Sequence, residues 1–180
     1  NDNTALGMQS LYSMTTGQDN VAVGAQSLYA YTGSKSVAVG YDAGKSINSD
    51  IENVFIGYRT GYYRTAGVDN TFVGSNASYS GGTGCCNTGV GRAAGYTLTS
   101  GVQNTFVGHN AGLYTTGAQN TLLGSGAGDA IITGSHNNIF GYACDASSAS
   151  GTDQIVIGTN GQIGKGNSTG FISPGTGGVY

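Results

Sequence analysis

Apolar and polar residues alternate in short bursts along this chain, and each burst ends in glycine: Asn-Thr-Phe-Val-Gly at 70–74 and again at 104–108, Asn-Val-Ala-Val-Gly at 20–24, Gln-Ile-Val-Ile-Gly at 154–158. The closing glycines are Gly7, Gly24, Gly40, Gly57, Gly74, Gly91, Gly108, Gly124, Gly141 and Gly158, at steps of 16 or 17 residues. A burst of that length with period two predicts a short strand. A fixed step over most of the chain predicts one supersecondary unit stacked on copies of itself, an all-β, parallel β-solenoid of about ten 16–17-residue coils. At ~4.8 Å between neighbouring strands, the rod is on the order of 50 Å long.

The residue before each glycine is always apolar: Leu6, Val23, Val39, Ile56, Val73, Val90, Val107, Leu123, Phe140 and Ile157. That uniformity assigns this column to the inner core. Two residues earlier, on the same face, stand small or β-branched residues such as Val21, Val37, Val54, Thr71, Thr88, Thr105 and Thr121. The intervening position points the other way and is also apolar: Ala5, Ala22, Ala38, Phe55, Phe72, Phe106, Leu122, Ile139 and Val156, with Gly89 among them. On an outward face this second stripe forms a patch larger than soluble monomers leave bare, so it is expected to be a subunit interface with other copies of the chain.

The first pentad position is a nearly unbroken amide row: Asn3, Asn20, Ser36, Asn53, Asn70, Asn87, Asn104, Asn120, Asn137 and Gln154. Stacked amides hydrogen-bond along a rod axis, which makes the row structural. Three residues past the glycine runs a column of small side chains (Ser10, Ser27, Ala43, Thr60, Ala77, Ala94, Ala111, Ala127, Cys144, Gly161), expected to form a short second strand. The chain is then expected to turn at a second glycine, at Gly17, Gly33, Gly67, Gly84, Gly101, Gly117, Gly134 and Gly151, where a positive φ favours glycine. The repeat domain spans 1–163, and 164–180, which holds the only proline, breaks the period as a C-terminal cap or linker.

Composition agrees with a rod and narrows its partners. Thirty-four glycines with 8% charged residues do not describe an ordinary globular domain. A net charge of −3 and six scattered Lys/Arg give no basic patch, so nucleic acid is not an expected partner. No apolar run approaches the roughly 18 residues of a membrane span, so no membrane insertion is expected. Three cysteines, Cys85, Cys86 and Cys144, make no even disulfide framework and read as buried thiols.

The pentad Asn104–Gly108, followed by Ala111 and Thr115-Thr116-Gly117, resembles the Asn-Thr-Ala-Val-Gly repeats of phage tail-fibre proteins. Ser36-Val37-Ala38-Val39-Gly40 is similar to the related head repeats of trimeric autotransporter adhesins. The resemblance covers residues 3 to about 163. It implies a left-handed β-roll in a homotrimer, located in the virion and working in host-surface adhesion.

Candidate chemistry is sparse. Gly40-Tyr-Asp-Ala-Gly44-Lys45-Ser46 imitates a phosphate loop but has three residues between its glycines and no helix to follow. Polysaccharide cleavage needs two carboxylates about 5–10 Å apart. Asp19, Asp69 and Asp153 sit at the corner before the pentad and read as turn residues, which leaves Asp50 and Glu52 as the one close pair, in an irregular coil. His109 and His136 fall in turns without ligand spacing, so no metal or cofactor is expected. Tyr12, Tyr29, Tyr62, Tyr79 and Tyr96 share one offset, five past the pentad glycine, and should stack on one edge as a surface contact row for a host glycan or protein.

The expectation is a non-enzymatic, receptor-binding segment of a trimeric tail fibre. The alternatives are a self-assembling extracellular filament or bacterial surface adhesin head, and a polysaccharide depolymerase tail spike. An ice-binding solenoid needs its threonine rows in water, and here the threonine column is assigned to the core face.

Overall fold

The computed structural model describes residues 2–49 and 51–173. They form one parallel sheet whose strands follow chain order. The strands are β1 (Thr4–Leu6), β2 (Val21–Val23), β3 (Val37–Val39), β4 (Val54–Ile56), β5 (Thr71–Val73), β6 (Thr88–Val90), β7 (Thr105–Val107), β8 (Thr121–Leu123), β9 (Asn138–Phe140), β10 (Ile155–Gly158) and β11 (Gly170–Ser173). Each equivalent residue pairs with its copy one coil along, Thr71 with Thr88 and Thr88 with Thr105, so the chain is a β-solenoid of about ten turns. The sheet runs one strand past residue 163: Ile155, Val156 and Ile157 pair with Gly170, Phe171 and Ile172. Pro174 and the rest of the tail lie outside the described residues.

The two faces of the strands are the reverse of the expectation. Ala22, Ala38, Phe55, Phe72, Phe106, Leu122, Ile139 and Val156, expected at a subunit interface, have no exposed surface and belong to one continuous core. Ala5, their counterpart in the first coil, is exposed at the end of the stack. The column expected in the core, Leu6, Val23, Val39, Ile56, Val73, Val90, Val107, Leu123, Phe140 and Ile157, points outward, with Leu6 at 66%, Leu123 at 43% and Ile157 at 39% exposure. The amide row decides this. Asn20, Asn53, Asn70, Asn87, Asn120, Asn137 and Gln154 are fully buried, and period two puts the residue two further on, the middle of the pentad, on the same side.

Inside the roll the amides form a continuous ladder. The Asn104 carbonyl oxygen accepts from the backbone N–H of Asn120 at 2.9 Å and from its amide nitrogen at 3.1 Å. The Asn104 amide nitrogen donates to Asn87 Oδ1 at 3.0 Å and to the Gly117 carbonyl at 3.0 Å. Ser36 interrupts the row: its hydroxyl accepts from the Asn53 N–H at 3.1 Å and is braced by the buried Tyr31 hydroxyl at 2.6 Å.

Side-chain volumes compensate between the two walls. Where the strand offers alanine, as in Ala22, the return segment offers the buried Leu28. Where it offers Phe106, the return segment offers Gly95 and Gly112, at which a Cβ would stand 2.8 Å and 2.6 Å from the ring. Two buried positions are charged, Asp42 and Arg64. Arg64 fills the slot beside Gly81, lies 5.7 Å over the Phe72 ring, and donates to the carbonyls of Gly84 and Ala66.

The return segment forms no second strand. It is a run of turns with left-handed residues two past the pentad glycine, Gln26 (φ 57°), Asn76 (φ 57°) and Asn110 (φ 58°) among them, and coils still bond through it, as in Gly95 N–H to the Ala111 carbonyl at 2.9 Å. The corner residues Asp19, Asp69 and Asp153 are left-handed as turn residues, at φ 60°, 57° and 56°. Of the eight second glycines only Gly67 has a positive φ. Gly17, Gly84, Gly101, Gly117 and Gly134 are glycine for lack of room: a Cβ on Gly117 would stand 1.9 Å from the Gly134 carbonyl oxygen.

Two substitutions separate the faces. Phe106→Ala is expected to cost about 3–5 kcal/mol in chemical denaturation, whereas the neighbouring Val107→Ala costs under about 1 kcal/mol in the single chain. In the ladder, Asn87→Ala leaves the Asn104 N–H and the Gly101 carbonyl without their side-chain partner and is expected to cost about 2–4 kcal/mol. Asn87→Ser, which copies Ser36, should recover part of that loss.

Candidate binding edge

The turn that follows each pentad places its fifth residue on one edge of the rod, and the expected tyrosine row stacks there. Tyr12 and Tyr29 lie with ring centroids 5.1 Å apart and planes at 4°. Tyr62, Tyr79 and Tyr96 continue at 5.4 Å and 5.1 Å. Lys45 occupies the gap between the two groups, its Nζ 5.4 Å from the Tyr62 centroid, 2.6 Å from Gln26 Oε1 and 3.1 Å from Asp42 Oδ1. Burial alone would lower its pKa; the Asp42 carboxylate and Tyr62 outweigh that and raise it above 10.5. The lysine of the phosphate-loop imitation is thus committed to a buried carboxylate.

Further aromatic columns join this edge that the single offset did not reveal. Tyr41 and Tyr58, one past their glycines, stack at 5.7 Å, and Tyr63 meets Tyr62 edge-on at 4.5 Å. Arg59 lies 5.1 Å over Tyr58 and 5.5 Å over Tyr62 while its Nε reaches Asp42 Oδ2 at 3.4 Å. Burial, with Tyr63 beside it, pushes the Tyr79 phenol upward. Within the second stack Tyr79 is covered on both faces, by Tyr62 and Tyr96, while Tyr12 at the start of the first has one ring neighbour and is exposed.

Past Tyr96 the column changes to Leu113, and the edge opens into a cleft of about 270 Å³ lined by Asn76, Arg92, Ala93, Tyr96, Asn110, Leu113 and Tyr114. The Arg92 guanidinium donates through Nη1 to His109 Nε2 at 2.7 Å, which requires a neutral imidazole protonated on Nδ1. One coil further, a second cleft of about 200 Å³ has His109, Asp129 and Tyr142 in its wall.

The other candidates separate. Glu52 forms an ion pair with Lys35 at 3.1 Å, and Asp50 lies outside the described residues. His136 faces Asp153 at 3.7 Å. Cys144 is buried, but Cys85 is half-buried and Cys86 exposed, because both occupy the outer corner, where their sulfurs lie 3.2 Å apart. Among the described residues no three His, Cys, Asp or Glu side chains gather as a metal group, and no helix is long and apolar enough to cross a membrane.

Comparison with protein families, characterised proteins and solved structures finds no match to this chain.

An acidic pair that sequence spacing did not reveal lies beside the second cleft. Burial, reinforced by Asp129, pushes the Asp145 carboxyl up to about 7, against which the Ala130 N–H bond at 3.2 Å works. Because the folded value lies above the ordinary 3.8, the folded protein retains a proton that the unfolded chain gives up in this range. The stability this residue allows is greatest below 3.8 and falls as the pH rises to about 7. Asp145→Asn keeps an acceptor for Ala130 and is expected to raise Tm by a few degrees at pH 8 and to flatten the fall between pH 4 and 7, read by thermal melts across pH.

Proposed function

We propose that the chain is a non-enzymatic rod segment of a homotrimeric fibre, a left-handed β-roll whose outward sheet face packs against its copies and whose tyrosine edge remains free for adhesion to a host surface. The observation that carries this is the outward sheet face itself. Its two columns, Val21 and Val23 through Ile155 and Ile157, hold valine, isoleucine, leucine, phenylalanine, threonine and one asparagine, with no charged residue on any of the ten repeat strands. A continuous uncharged apolar face of this kind marks a surface that another protein covers. Identical copies related by an axis along the rod supply a cover of matching length and spacing.

The resemblance of the pentads to phage tail-fibre repeats supports the same reading and adds its setting, a virion fibre. In such an assembly the solenoid works through stiffness, and three copies of any weak edge site act together.

One observation favours a second reading. Thr71, Thr88, Thr105 and Thr121 form a consecutive ladder on the outward face, in register across four strands, so a monomer would hold a threonine row in water as an ice-binding surface requires. Sedimentation equilibrium separates the two. The fibre reading expects three times the mass of the 18.0 kDa chain, and Val73→Glu with Val107→Glu is expected to yield folded monomer. A wild-type monomer that halts ice recrystallisation would overturn the trimer in favour of the second reading.

A further inference from the structure

We infer that the cleft at the C-terminal end of the tyrosine stack is a binding site for a carboxylate-bearing sugar ring, with Tyr96 and Tyr114 as its aromatic walls and Arg92 as its anion contact. This deepens the adhesion part of the proposed function and rests on that reading.

Three observations converge on the cleft. The first is the end of the stack. Tyr79 covers one face of Tyr96, and the next residue of the column is Leu113, so the stacking of rings stops where the cleft begins. A sugar ring packs its C–H face on a tyrosine as a further ring would, and its hydroxyls meet the amides of Asn76 and Asn110 in the same wall. The second is size. At about 270 Å³ the cleft falls just under the ~300–1,000 Å³ of pockets for drug-sized molecules, which suits a single ring with its neighbours in solvent.

The third observation is charge. Lys35 is matched by Glu52, and Lys45 and Arg59 share Asp42. Arg92 forms no ion pair among the described residues; the corresponding side chain two past the glycine, Asp42 in the third coil, is Ala93 here. Among the described residues its one hydrogen-bonding side chain is His109, which leaves the remaining guanidinium N–H groups for a planar, two-oxygen acceptor. In a chain of net charge −3, a cation without a carboxylate at the mouth of an aromatic cleft selects an anionic ligand over a neutral one.

The test titrates the full chain with short oligomers of galacturonate, glucuronate and N-acetylneuraminate, following tyrosine fluorescence and saturation-transfer NMR, beside methyl-esterified oligogalacturonate as the uncharged counterpart. At least one acidic oligomer is expected to bind at millimolar concentration or below, weakening with added salt, and its ester at least tenfold more weakly. Arg92→Gln is expected to remove the preference for the acid, Tyr114→Ala to weaken acid and ester alike, and Lys165→Gln to change neither. Binding of none of the acidic oligomers, equal binding of acid and ester, or an unchanged preference in Arg92→Gln overturns the site. Sedimentation of the same samples keeps the outcomes apart, since these substitutions lie off the outward sheet face: a monomer that still prefers the acid refutes the trimer and leaves the site standing.

Discussion

Most coils of this rod hang on a buried amide. A buried primary amide must place two N–H groups and a carbonyl oxygen, and each asparagine from Asn70 to Asn137 does so by reaching its neighbours one coil up and one coil down and the carbonyl of the second glycine. That single requirement fixes much else. It locks the register of adjacent strands, since a slip of one residue would turn the ladder into solvent and leave the glycine carbonyls unpaired. It also demands that the second corner approach the next coil so closely that a side chain has no room there. And it sets the parity of the strand, which turns Phe55, Phe72 and Phe106 inward and Val73 and Val107 outward.

The period, the strands and the tyrosine row were legible in the sequence, because each depends on spacing alone. Parity was not read correctly, because both pentad columns are apolar and uniformity favoured the wrong one. The signal that decides it is present in the letters all the same: large residues in the middle column stand against glycines four past the pentad glycine, Phe55 with Gly61 and Phe106 with Gly112, while Ala22 has the buried Leu28 at the same offset. Only two columns that share one interior compensate in volume. Arg64 breaks the apolar pattern of its own column and becomes intelligible only beside Gly81, a partner seventeen residues away. The Asp129 and Asp145 pair was hidden because the two stand at different offsets within their coils and meet only through the turn geometry.

The same architecture separates stability from surface chemistry. Core and ladder are set by columns inside the roll, while the edge is set by positions one, two, five and six past each glycine, where Tyr, Arg, Asn, His and Leu follow one another without disturbing the coil beneath. A chemically distinct surface can therefore be written at each level of the rod. The tyrosine stack, the Arg92 cleft and the Asp129 cleft are three such levels in succession.

Ser36 gives the rod an unequal joint near its start. On either side of it the ladder passes only a backbone N–H to a side-chain oxygen, from Ser36 to Asn20 and from Asn53 to Ser36, whereas the junctions between Asn53 and Asn137 add an amide-to-amide bond and the last, from Gln154 to Asn137, again lacks one. In a structure held together by nearest-neighbour contacts, opening that starts at an end travels until it meets a stronger junction and begins most readily at a weaker one. The first two coils thus form a hinge-like leaf that can fray or peel under load while the coils from Asn53 to Asn137 hold as one block.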